Sequence, residues 1–169
     1  MWILTVRDCV LTSYSPSQFD RNNNMSVRPV PEGHHSVTPY LVVDDAARLM
    51  AFLRDAFQAV EVHRMTGPDG RVRHAQVKLG DSMVMMGEPQ GQGKPLPCAL
   101  YLYVENADAV YQRALKAGAT SIMEPADQFY GDRHGGVTDP FGNQWWIATH
   151  IEDVSNEEIA RRAANLHKA

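Results

Sequence analysis

The chain has 169 residues, 44% of them hydrophobic, and a formal net charge of −4. That length supports one domain or two small fused modules with a real core. The acidic balance gives no electrostatic footprint for nucleic acid or an anionic membrane, and no apolar run approaches the roughly 20 residues of a membrane span.

Residues 1–33 read as an extension. Met1 to Leu11 is moderately apolar, but it lacks a basic start and a small-residue cleavage site. Ser13 to Asn24 turns to Ser, Pro and Asn, as a linker does, and Met25 is a candidate alternative start. Two cysteines, Cys9 and Cys98, cannot build a disulfide framework; they suit a reducing cytosol, and a cytoplasmic location is expected.

Residues 34–90 form a first unit. Val37 to Val43 predicts a strand, and Asp44 or Asp45 caps the helix that follows. In that helix Leu49, Phe52, Leu53, Ala56 and Phe57 make one apolar stripe. Val60 to Met65 predicts a second strand, Gly67-Pro68-Asp69-Gly70 a tight turn, and Val72 to Leu79 a third strand. Gly80-Asp81-Ser82 turns the chain into a short fourth strand, Met83 to Met86.

After a Gly- and Pro-rich linker ending with residues 91–97, residues 98–151 repeat the pattern. Ala99 to Val104 predicts a strand, and a helix runs from about Ala107 to Ala117 with Gly118 as its stop. Ser121 to Met123 predicts a short strand. A long loop follows, then Gly135 to Thr138, a turn over Asp139 to Asn143, and a last strand from Gln144 to Thr149. In residues 152–169, Ser155-Asn156-Glu157-Glu158 is a capping box, and Ile159, Arg162, Ala163 and Leu166 share the face of the helix behind it.

The two units match at an offset of about 61 residues, which sets Tyr40 on Tyr101, Val43 on Val104, Asp45 on Asn106 and Met85 on Trp146. The predicted fold is therefore α+β: two tandem β-α-β-β-β modules whose sheets curve around a cleft. Strand parity divides the residues. Leu41, Val43, Leu100, Leu102 and Val104 face the helices. Tyr40, Val42, Met83, Met85, Tyr101, Tyr103, Gln144, Trp146 and Ala148 face the cleft.

A tandem β-α-β-β-β arrangement resembles the vicinal oxygen chelate superfamily of glyoxalases, bleomycin-resistance proteins and extradiol dioxygenases. Stretches 31–41, 67–72, 128–133, 139–142 and 148–155 look like a bacterial subfamily of uncharacterised glyoxalase-like proteins. Leu53, Gln58 and Asn143 depart from the subfamily's usual Tyr, Gly and His. The first two departures are expected to affect helix packing, and the third a polar contact near the cleft. The resemblance implies a homodimer. It also implies four metal-ligand positions, occupied here by Thr38, Met85, Ala99 and Trp146. None is a usual ligand of a catalytic metal, so no metal or other cofactor is expected.

The expected ligand-binding residues are Tyr40, Gln76, Met85, Tyr101, Tyr103 and Trp146, a lining that suits an aromatic or cationic small molecule. A plain core between sheets is the simpler reading of the same pattern. Catalytic candidates are His74 as a general base, Tyr130, and Arg133 as a carboxylate clamp. Against them stand a solvated strand edge for His74 and a loop-fastening ion pair for Asp132 or Arg133. A relocated metal site using His35, His74, His134 or His150 has no supporting short spacing. Three functions follow: a metal-free small-molecule binder, a glyoxalase-like lyase, isomerase or dioxygenase, or a dimer with a vestigial cleft. The expected partner is a small molecule and a second copy of the chain, with neither nucleic acid nor membrane.

Overall fold

A computed structural model describes residues 27–166, and the expectations for residues 1–26 and for the Leu166 side chain lie outside the described residues. The first module comprises β1 (Tyr40–Val42), α1 (Ala46–Phe57), β2 (Val60–Thr66), β3 (Val72–Leu79) and β4 (Ser82–Gly87). The second comprises β5 (Ala99–Tyr103), α2 (Ala107–Lys116), β6 (Thr120–Asp127), β7 (Asp132–Thr138) and β8 (Gln144–His150). The chain continues into α3 (Asn156–Leu166).

Each module is a four-stranded curved sheet, β1-β4-β3-β2 and β5-β8-β7-β6, with its first strand parallel to its last. The registers agree with the offset: Tyr40 pairs with Met85, and Tyr101 with Trp146. The helices start in the same way. Asp45 accepts the Arg48 N–H at 2.9 Å, and Asn106 accepts the Ala109 N–H at 2.9 Å, so each cap satisfies a donor the helix cannot. At the far end the chain must enter a left-handed conformation. Gly118 does so after α2 at φ 102°, whereas α1 ends on Gln58 at φ 59°.

Alternation sends Leu41, Val43, Val77, Met86, Val137, Trp145 and Ile147 to the helix side, where all are at most 2% exposed. The modules meet through this side. α1 packs on α2, the Phe57 and Trp145 rings lie 4.8 Å apart, and Arg113 donates to the Ala56 carbonyl at 3.2 Å. One apolar core therefore runs through both modules.

Three strand boundaries correct the sequence reading. β1 begins at Tyr40, because Thr38 hydrogen-bonds back to the His35 carbonyl in a local turn. β6 extends to Asp127 and β7 begins at Asp132, so the supposed long loop shrinks to residues 128–131. Pro125 hides the strand from a propensity reading. It is tolerated because β6 is an edge strand. Among the described residues no helix is long and apolar enough to cross a membrane.

Candidate functional site

Extending β7 to Asp132 places Asp132 and His134 on one face of the strand, beside β8 and below β5. Asp132 is 4% exposed and is the centre of the second module's polar cluster. Its Oδ2 accepts the hydroxyls of Tyr103 at 2.9 Å and Tyr101 at 3.3 Å. Its Oδ1 faces His150 Nδ1 at 2.8 Å, and His150 Nε2 lies 3.0 Å from Asp153. Burial alone would raise the Asp132 pKa. The hydrogen bonds from His150, Tyr103 and Tyr101 outweigh it and hold the carboxyl below its ordinary value. The carboxylates in turn raise the pKa of His150.

His134 sits 3.1 Å from the Tyr101 hydroxyl and 2.6 Å from that of Tyr130, both at Nδ1. Burial lowers its pKa against the pull of Asp132, so the ring is neutral at neutral pH. The Tyr101 proton goes to Asp132, so the Tyr130 phenol is the donor to Nδ1 and the imidazole proton resides on Nε2. Burial, together with Tyr130 and Asp132, raises the Tyr101 pKa, and the hydrogen bond to Asp132 raises that of Tyr103; both phenols stay protonated.

The cluster turns its polar atoms inward and its rings outward. Tyr101 and Tyr103 are 46% and 61% exposed, with ring centroids 5.2 Å apart. Trp146 lies edge-on to His134 and covers Gly136, where an added Cβ would come within 2.7 Å of the indole. The Tyr130 loop is held from behind: the Gly131 carbonyl accepts the N–H groups of Ile151 and Glu152, and Arg162 donates to the Phe129 carbonyl at 3.3 Å.

The first module repeats part of this arrangement. Tyr40 stacks on His74 at 5.8 Å, as Tyr101 meets His134 at 5.8 Å. The two histidines occupy matching positions, each one residue before the pairs Ala75–Met86 and Gly135–Ile147. His74 Nε2 receives the Gln76 amide at 3.0 Å.

The expected binding residues therefore fall into two groups. Tyr40, Gln76 and Met85 belong to the first sheet and Tyr101, Tyr103 and Trp146 to the second. Among the described residues no hydrogen bond or ring contact joins them. A cavity of about 570 Å³ does cross the modules, bringing His35, Pro39 and Met83 against Tyr101 and Tyr103, but Tyr40, Met85 and Trp146 do not line it. Met85 and Trp146 thus sit in different sheets, on β4 and β8, and the modules join through their helices.

Two further expectations change. The Arg133 guanidinium is held by Asp108 at 2.6 and 2.7 Å and by Asp127 at 2.8 Å, so it fastens α2 and β6 instead of waiting for a substrate. Asn143 is fully buried. It accepts the Cys98 N–H at 3.2 Å and donates to Asp139, which ties the β7–β8 turn to β5 away from the aromatic face. The sequence reading offers Asp132 only as a loop-fastening ion-pair residue and His150 only as a relocated metal ligand, and does not bring the two together. The sequence signal for the pair is alternation: a strand that begins two residues past Tyr130 sets Asp132 and His134 on one face.

The four positions implied as metal ligands do not fit a catalytic divalent ion. Ala99 has no side-chain donor, Trp146 offers only an N–H, and Met85 is a soft thioether. Among the described residues no three His, Cys, Asp or Glu side chains gather where they could hold an ion.

The family model described as Glyoxalase/Bleomycin resistance protein/Dioxygenase superfamily matches residues 33–147. The chain belongs to this superfamily. It is 40% identical over 135 residues to Uncharacterized protein Mb0911c of Mycobacterium bovis, covering 73% of this chain and 89% of that one. Uncharacterized protein Rv0887c of Mycobacterium tuberculosis is also 40% identical, over 73% of this chain and 79% of its own length. Among solved structures, TioX from Micromonospora sp. ML1 matches with a TM-score of 0.59 at 24% identity, covering 68% of this chain and 98% of that one. A glyoxalase/bleomycin resistance protein/dioxygenase family enzyme from Burkholderia phytofirmans PsJN matches at 0.55 and 19% identity, over 68% and 97%. At these identities the structural matches speak for the fold.

Proposed function

We propose that this superfamily member is a metal-free binding protein for an aromatic or cationic small molecule. The carrying observation is the fixed pair of half-exposed rings, Tyr101 and Tyr103, whose hydroxyls are both held by buried Asp132. Rings fixed before binding lose little freedom when a ligand stacks on them. A phenol donating to a carboxylate also presents an electron-rich face, which favours a cation. Trp146 and the Nε2–H of His134 supply a further surface and one orienting donor. An aromatic stack adds about 0.5–1.5 kcal/mol beyond area burial, so two or three together support micromolar affinity.

A second copy of the chain is the proposed protein partner. Support comes from the open ring faces of Tyr40 and Tyr101 and from β2, which is exposed along its whole length. A cytoplasmic setting agrees with the cysteine content.

The test is a screen of aromatic, cationic and thiol-conjugated compounds by thermal shift, followed by titration of the hits. Trp146→Ala is expected to weaken binding at least tenfold while leaving the fold intact. A screen with no Trp146-dependent signal hands the cleft to the vestigial reading.

The 2.6 Å contact between Tyr130 and His134 favours one alternative, a lyase, isomerase or dioxygenase of the glyoxalase type with a non-standard site. A phenol this close to a neutral imidazole is arranged for proton transfer. Turnover that disappears in Tyr130→Phe, with ligand affinity retained, would decide for that alternative.

A further inference from the structure

A cavity of about 950 Å³ lies between the modules, at the edge of β5 not used by β8. Phe57 and Leu79 from the first module and Leu102 and Val110 from the second give it apolar walls. Two cations, Lys78 and Arg113, also line it. Their situation differs from that of most arginines in this fold. Arg64, Arg71, Arg133 and Arg162 each hold a carboxylate at 2.6–2.8 Å. Arg113 is half-buried, donates Nε–H to the Ala56 carbonyl at 3.2 Å, and has no carboxylate partner among the described residues. Lys78 likewise has none. Glu105 is the single acid in the lining, so two cations outweigh one anion even with His150, also in the wall, left neutral.

A largely apolar groove with two cations that hold no carboxylate among the described residues is matched by a ligand that brings an anionic head on an apolar body. We propose that this intermodular cavity is a second binding site, taking an organic anion whose carboxylate or sulfonate lies between Lys78 and Arg113. The apolar body lies against Phe57, Leu79, Leu102 and Val110. The site is distinct from the aromatic face, with which it shares only Tyr103 and His150 as a common wall. It goes beyond the binding function proposed above and does not depend on it.

The experiment is isothermal titration of the full chain with octanoate and, as the neutral counterpart, octan-1-ol. Octanoate is expected to saturate one intermodular site per chain, and octan-1-ol to bind at least fivefold more weakly. Lys78→Ala and Arg113→Ala are each expected to weaken octanoate at least fivefold, while Trp146→Ala leaves it unchanged. Arg113→Ala also removes the link to Ala56, so Lys78→Ala, a change at an exposed side chain without a partner, carries the decision. Absence of saturable octanoate binding overturns the proposal, as does equal affinity for the alcohol or unaltered binding in Lys78→Ala. Because the aromatic-face hypothesis is read through Trp146 and this one through Lys78, either can fail alone.

Discussion

The two modules close the same turn with opposite chemistry. In the first, Gly67 donates to the Arg71 carbonyl and Gly70 to the Gly67 carbonyl. In the second, Gln128 donates to the Asp132 carbonyl and Gly131 to the Gln128 carbonyl. Arg71 and Asp132 thus hold matching places. Arg71 pairs with Glu88 at 2.6 Å, and Asp132 pairs with His150 at 2.8 Å. In both the carboxylate side chain is nearly buried, 8% exposed for Glu88 and 6% for Asp132. Only in the second module does it lie under tyrosines. Val42 stands where β5 has Tyr103, so the first module keeps the Tyr40–His74 stack without a carboxylate to fix the phenol. A duplicated frame supplies a Tyr–His pair twice. One buried acid turns one copy into an organised polar centre.

The largest expected effect tests how firmly that centre is held. Gly70 and Gly131 both have positive φ, 79° and 99°. A Cβ on Gly70 meets nothing within 4 Å, whereas on Gly131 it runs into the Glu152 carbonyl oxygen and comes 3.0 Å from Val154 Cγ2. Gly70→Ala should cost about 1 kcal/mol of backbone strain. Gly131→Ala should cost about 3 kcal/mol or more, since backbone must move as well. Urea denaturation of the two variants gives both numbers. Equal losses would show that the C-terminal segment does not brace the Tyr130 loop.

Next in size is Asp132→Asn. The amide cannot accept from both phenols and from His150 together, so a buried donor loses its partner, at about 2 kcal/mol. The pH dependence follows from the directions of the shifts. The Asp132 carboxyl is held below its ordinary value of 3.8, so its stabilisation is present above that pH and is lost as the pH falls through the lower folded value. His150 is raised above 6.5, so its contribution is complete below pH 6.5 and disappears as the pH rises through its folded value. His134 is lowered below 6.5, so protonating it opposes folding as the pH drops under 6.5. Histidine titrations followed by NMR should therefore place His150 above and His134 below the ordinary value, and Asp132→Asn should bring His150 down. The reverse order would break the account of the centre.

Much of this was legible in the sequence because it depends on short-range patterns. Capping by Asp45 and Asn106, the apolar stripe of α1, the offset joining Tyr40 to Tyr101, and the inward or outward parity of Leu41 and Tyr40 are all local signals. Asp132 was not legible as a centre for two reasons. Pro125 and Gly131 break the strand pattern on either side of it. Its partners Tyr101, Tyr103 and His150 are also 18 to 31 residues away, so only the sheet brings them near. Arg133 attracted attention for its chemistry, yet its partner Asp108 lies 25 residues back on α2, and no spacing rule connects them. The division of the binding residues between sheets depends on α1 meeting α2, a tertiary choice that a repeat offset does not encode.

The smallest predicted effect returns to the modules' helix ends. Both first helices leave through a left-handed residue, but only Gly118 adopts that conformation without steric cost. Gln58 holds φ 59° to let its N–H reach the Arg54 carbonyl at 3.0 Å, and the Ala59 N–H then reaches the Leu53 carbonyl at 3.2 Å. These bonds use backbone alone, and the Gln58 side chain is exposed with no hydrogen bond among the described residues. Gln58→Gly keeps both bonds and relieves strain of about 1–2 kcal/mol, offset by about 0.4–1 kcal/mol of added freedom in the unfolded chain. A gain of about 0.5–1 kcal/mol is expected, read as a higher denaturation midpoint at unchanged slope. Gly118→Gln should lose a similar amount, since a Cβ there meets only Pro140 Cγ at 3.8 Å and the penalty is conformational. If Gln58→Gly destabilises the protein, the Gln58 side chain holds the first helix end by a contact that the second module does without.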